Sequence, residues 1–157
     1  MIKKTIGPFK VLEVTQKGGS FFSASIPASE LVAITYSDVR RLVSEERDIE
    51  RYLGVQRPLN RSRVKKIREY ILSPDPTFPT AIIVAVDEIC VEYDLDAGTV
   101  TLSEIEAEEN DGEGKSIPFG KIAKVLDGQH RLAGFLNEEG MFDIGEADFA
   151  LNVSIFV

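Results

Sequence analysis

A single cysteine, Cys90, stands in the whole chain. An internal disulfide and any multi-cysteine metal site are therefore excluded. There is one histidine, His130, and no pairing of Cys and His at zinc-finger spacing. No run approaches the roughly 18–20 consecutive apolar residues of a membrane span. The N-terminus, MIKKTIGPFKVLEV, has two lysines but no long apolar stretch and no small-residue cleavage site, so it does not read as a signal peptide. No Gly-x-x-x-x-Gly-Lys-Ser/Thr phosphate loop occurs, and no internal repeat. These absences predict a soluble, cytoplasmic protein without a membrane partner.

What is present fits one folded unit. The 157 residues, 43% of them hydrophobic, suffice for one domain with a real core and are too few for two. Charged residues make up 28%, so this is not a disordered polar chain. A single domain over residues 1–157 is expected. The apolar pattern of Ser154-Ile155-Phe156-Val157 runs to the last residue. Either the sequence is the N-terminal part of a longer protein, or its last strand is buried centrally.

Net charge is −8, which opposes non-specific DNA binding by the surface as a whole. The charge is uneven. From Asp87 to Glu113 there are eleven acids and no base; from Arg51 to Arg68, seven bases and no acid. Such a basic stretch in an acidic protein could bind nucleic acid locally, or be a solvated helix face. Its DNA-binding candidates are Arg61, Arg63, Lys65, Lys66 and Arg68.

The periodicities predict a mixed α/β fold. Strands are expected at Phe9–Gln16 and Ser20–Ile26, turned at Lys17-Gly18-Gly19 and stopped by Pro27. A helical period runs from Ser37 to Gly54. A second helix starts near Asn60 or Ser62, carries Val64, Ile67, Ile71 and Leu72 inward, and ends before Pro74 and Pro76. The run AIIVAV, Ala81–Val86, reads as a strand buried on both faces. A hairpin is expected from Ile89–Tyr93 and Thr99–Ile105, then an acidic loop, EAEENDGEGKS. Ile122–Leu126 is a strand, Gln129–Asn137 a short helix ended by Gly140, and Leu151–Val157 a last strand.

The chemistry gathers at KVLDGQHRLAGFL, residues 124–136. An apolar strand gives way to an apolar-faced helix across Asp127-Gly128-Gln129-His130-Arg131. Gly128 permits a tight turn and close backbone approach. A helix starting at Gln129 leaves N–H groups aimed at the turn, where they favour an anion. Arg131 offers a planar fork matched to phosphate. His130 can donate to phosphate or exchange a proton near neutral pH. Asp127 could hold a metal ion, and Gln129 could orient a water. The plainer alternatives are an N-cap for Asp127, a solvated surface for His130, and a local ion pair for Arg131. Leu132, Phe135 and Leu136 are core residues.

DGQHRL after a short strand resembles the signature of the DGQHR-domain family, which includes DNA-sulfur-modification regulators of the DndB type. That family is similar to the larger ParB/sulfiredoxin superfamily. The segment GVQRPLNRSRVKKIREYI, Gly54–Ile71, resembles the family's upstream Gln-Arg element and following helix. FPTAIIVAV resembles the strand beside the motif helix. The resemblance covers Gly54 to the end. It implies a ParB/sulfiredoxin-like mixed β-sheet with flanking helices and a nucleotide or DNA phosphate at the turn. By position, Gly128, Arg131, Gln56 and Arg57 are phosphate-binding candidates, and Asp127, Gln129 and His130 catalytic ones. Gln56 and Arg57 are expected on the same side of the sheet as the turn, which should face a cleft. Gln129 and His130 stand where sulfiredoxins carry a cysteine, so sulfinic-acid reduction is not expected.

Three functions compete. The first is a ParB-like nucleotide-phosphate-binding domain, turning over nucleoside triphosphate with Mg²⁺ on Asp127, in a DNA-modification or phage-defence context; a DNA nickase is a weaker variant. The second is a non-catalytic DNA-binding regulator of DNA phosphorothioate modification. The third is a structural domain whose function lies elsewhere. A nucleotide is the expected partner, with DNA and a homo-oligomer left open.

Overall fold

The computed structural model describes residues 2–37, 59–107, 114–145 and 149–157. The expected helix over Ser37–Gly54, together with Gln56 and Arg57, falls outside these residues except for Ser37. Within them, eight strands form one mixed sheet: β1 (Thr5–Gln16), β2 (Gly19–Pro27), β3 (Thr35–Tyr36), β4 (Ile82–Val86), β5 (Val91–Asp94), β6 (Thr99–Ser103), β7 (Ala123–Asp127) and β8 (Ala150–Phe156), in the order β3-β7-β4-β8-β2-β1-β6-β5. Three α-helices lie among the described residues: α1 (Ala28–Ile34), α2 (Arg61–Ile71) and α3 (Gln129–Gly134). The mixed α/β class read from the sequence is the class found.

Each strand is placed by its pattern. β1 and β2 pair antiparallel with Gln16 opposite Gly19, as the glycine turn predicts. β4 lies between β7, antiparallel to it, and β8, parallel to it. Ile82, Val84, Ala85 and Val86 are buried and Ile83 half-buried, so the continuous apolar run has the expected two-sided cover. On one face, Ile82, Val84, Val86, Leu151, Val153, Ile155 and Ile26 are almost fully buried and form the core. β8, with neighbours on both sides, is an inner strand of the sheet. That explains its apolar alternation.

Several elements differ from expectation. α1 was not anticipated, because Pro27 reads as a stop. Yet Ala28, Leu31 and Ile34 are buried at helical spacing, in only seven residues, too short a window for a period to stand out. Cys90, expected in a strand, lies in a 3-10 turn over Glu88–Cys90. Leu72, expected inward, is the C-cap of α2 and 55% exposed. α3 stops short of Asn137 because Phe135 and Leu136 donate to carbonyls three residues back, tightening the last turn. The Asn137 side chain then accepts from the Glu139 and Met141 amides and turns the chain.

α2 and α3 cross at Gly134. A Cβ there would lie 2.7 Å from Ile67 Cγ2 and 3.1 Å from Ile71 Cδ1. Arg68 Nη1 donates to the Gly134 carbonyl at 3.3 Å. Beneath, Phe135 is fully buried against Phe78, Phe149 and Phe142, with ring centroids 5.1–6.4 Å apart. Adding a methyl at Gly134 must therefore push two branched side chains apart. Gly134→Ala is expected to lower unfolding free energy by about 1–3 kcal/mol in urea denaturation. A change under about 0.5 kcal/mol, the scale of ordinary surface substitutions, would mean that the helices do not meet this closely.

Candidate functional site

The strand–turn–helix read from residues 124–136 is present: β7 ends at Asp127, Gly128 makes the turn, and α3 begins at Gln129. Gly128 has φ of +100°, in the left-handed region, and a Cβ there would fall 2.4 Å from Ile82 Cδ1. Only glycine satisfies both demands. Gly128 is itself the N-cap, with no side-chain cap. Asp127 is therefore the last strand residue rather than the helix cap that its type suggests.

Arg131 is turned back along the sheet. Its Nη1 donates to the Thr80 carbonyl at 2.7 Å and to Thr80 Oγ1 at 2.9 Å; its Nη2 donates to the Ala81 carbonyl at 3.0 Å. These acceptors lie just before β4 begins its pairing at Ile82. The Arg131 side chain is 16% exposed, and the Asp127 carboxylate lies 3.9 Å from Nη2. Burial lowers the Arg131 pKa, Asp127 opposes that and Arg63 reinforces it. The fork that matches phosphate is thus largely engaged with main chain.

His130 holds the other side. Its Nε2 accepts the backbone N–H of Asn60 at 3.1 Å, while the Asn60 side chain accepts from Arg63 N at 3.0 Å and caps α2. Accepting through Nε2 requires the neutral ring, with its proton on Nδ1. Burial, and secondarily Arg63, lowers the His130 pKa, in keeping with that neutral form. Gln129 is half-buried and its side-chain oxygen is closed to solvent. Asp127 remains exposed.

The fold therefore brings Asn60, Arg63, Thr80, Asp127, His130 and Arg131 together. Arg61, Arg63, Lys65 and Lys66 are exposed on α2. Arg68 is turned inward, to the Gly134 carbonyl and to Asp143 at 3.8 Å. Gln56 and Arg57 lie outside the described residues, so their side of the sheet is not described. Two surface depressions lie away from the turn, one over β1, β2 and β8 and one at the start of β7. For Mg²⁺, Asp127 is the turn's one carboxylate, and no three His, Cys, Asp or Glu side chains gather to hold an ion among the described residues. The ion would take the rest of its shell from nucleotide phosphates and water, so these residues alone do not make a magnesium site. Cys90 is buried, and burial followed by Asp87 pushes its thiol up, which suits a core residue rather than a nucleophile.

Sequence reasoning missed Asn60 as the partner of His130, Thr80 and Ala81 as the partners of Arg131, and Gly134 as the helix crossing. Gly134 alone left a trace: a glycine inside an apolar-faced helix usually has a packing reason.

A family model described as DndB, DNA-sulfur modification-associated, matches residues 9–154. No curated protein and no solved structure matches the chain.

The engagement of Arg131 generates a test. Lysine keeps the charge but cannot span Thr80 and Ala81 together. Arg131→Lys is expected to cost about 1–3 kcal/mol of stability in the absence of any ligand. Full stability with only ligand binding impaired would make Arg131 a ligand residue instead.

Proposed function

The chain belongs to the DndB family, and on that premise we propose that it is a DNA-backbone-binding module acting in DNA-sulfur modification. α2 is its DNA face, and the DGQHR turn is the clamp that holds α2 in place. The observation that carries this reading is the surface of α2. Arg61, Arg63, Lys65 and Lys66 are exposed in its first two turns, whereas Ile67 and Ile71 pack against α3. No acid lies in the first turn, and Glu69, the helix's one acid, comes in its last. Phosphate contacts need exposed cations on a rigid support and carry no base information. Asn60–His130 and Arg68–Gly134 supply the support at the two ends of the contact. Family membership supports the DNA context.

A second reading keeps the turn as a nucleotide site of the ParB kind, with Arg131, Gly128, Gln56 and Arg57 on phosphate, Mg²⁺ on Asp127, and Gln129 or His130 positioning water. The proximity of Arg63 to both His130 and Arg131 favours it, since positive charge does gather there. It ranks second because Arg131 would have to leave Thr80 and Ala81 to take a phosphate.

Duplex DNA binding measured by fluorescence anisotropy across a salt series tests the first reading. The logarithm of affinity should fall against the logarithm of salt with a slope of about −3 to −4, for four cations at about −0.9 each. Arg63→Glu with Lys66→Glu should abolish binding while the fold is retained. Unchanged affinity in that variant overturns the proposal. Phosphate release from Mg²⁺-nucleoside triphosphate that Asp127→Ala abolishes would establish the second reading.

A further inference from the structure

One aromatic ring lies on the cationic side of α2. Tyr70 follows Arg63 by seven residues and Lys66 by four, so the three share one row along the helix. All three are exposed, Tyr70 by 41%. The axial step to Tyr70 is ~6 Å from Lys66 and ~10 Å from Arg63. Glu69 stands on the neighbouring row, four residues after Lys65. The ring is held in place. Its hydroxyl donates to the Thr77 carbonyl at 3.0 Å and accepts the Thr77 N–H at 2.8 Å. Phe78 meets it with centroids 5.4 Å apart and planes at 71°, and Phe78 is itself packed on Phe135 and Phe149. A contact of that steep angle takes at most one face of the tyrosine. The phenol is thus tied at its tip and braced on the core, yet open to solvent. The bonds to Thr77 account for the hydroxyl, but not for an exposed ring at the end of a row of cations.

Resting on the reading of α2 as the DNA face, we propose that Arg63, Lys66 and Tyr70 bind an unpaired strand of DNA, with phosphates on the two cations and one base stacked on the Tyr70 ring. A duplex offers phosphates to the cations but keeps its base faces inside its own stack. An unpaired nucleotide has a face to present, and a ring one turn along the same row is within its reach. Such stacking tolerates any sequence, because every base has a π-face. A ring already fixed by Thr77 and Phe78 has little freedom left to lose on binding. Preference for unpaired DNA therefore comes from the ring, and sensitivity to salt from the cations.

Fluorescence anisotropy with three labelled probes of one length tests this at a single salt concentration: an oligothymidylate, an abasic strand with the same phosphates, and a duplex. The oligothymidylate is expected to bind about tenfold tighter than the abasic strand, toward the lower end of what one stacked base contributes. Tyr70→Leu should remove that advantage and leave duplex affinity unchanged. Tyr70→Phe keeps the ring and loses only the bonds to Thr77, so it should retain most of the advantage. Equal affinity of the unaltered protein for the oligothymidylate and the abasic strand overturns the proposal, and that comparison needs no variant to fold. Losses in Tyr70→Leu that are equal for all three probes overturn it too. Salt-dependent duplex binding would then still stand for α2 as the DNA face. Arg63→Glu with Lys66→Glu binding every probe as before would overturn that reading and this one together.

Discussion

One guanidinium fixes the geometry on which the rest depends. Arg131 donates three hydrogen bonds to Thr80 and Ala81 and thereby ties the first turn of α3 to the entrance of β4, fifty residues upstream. Charge-assisted hydrogen bonds to partly buried carbonyls are among the stronger local contacts, and they orient as well as hold. The bond requires α3 to leave β7 at a fixed angle, which the left-handed turn at Gly128 permits and any side chain there would forbid. With α3 so directed, Gly134 meets α2 without a Cβ, and His130 takes the amide that precedes α2. Three members of the DGQHR string thus act as one mechanical unit.

That unit determines what the basic segment can do. A helix of eleven residues with five bases repels itself and has little reason to be stable alone. Docked by Ile67, Ile71 and Arg68 on one side, it presents its other cations on a rigid rod rather than a mobile tail. The chain as a whole is acidic, with a net charge of −8, so the five bases of α2 stand out against it. Local positive charge on a negative body favours orientation of a polyanion over indiscriminate coating, and it makes attraction sensitive to salt.

Much of this was legible in the sequence. The switch of hydrophobic period across Gly128 revealed the strand–turn–helix, because strands and helices space their buried residues differently. The apolar run at Ala81–Val86 revealed an inner strand, and Asn60 is the N-cap that its residue type suggests. The partners of Arg131 were not legible, since backbone carbonyls leave no mark in a sequence and the contact spans about fifty residues. Asp127 misled as a cap, because an adjacent glycine took the capping position. For α1, seven residues were too few for a helical period to show.

Whether DNA is held by α2 or by the turn can be read directly from backbone amide chemical shifts during titration with a short duplex at low salt. Perturbations concentrated on Arg61–Lys66, with Asp127–Arg131 changing little, are expected if the turn is a clamp and the helix the contact surface. Perturbations centred on Gly128–Arg131, with α2 silent, would contradict it and return the phosphate to the turn.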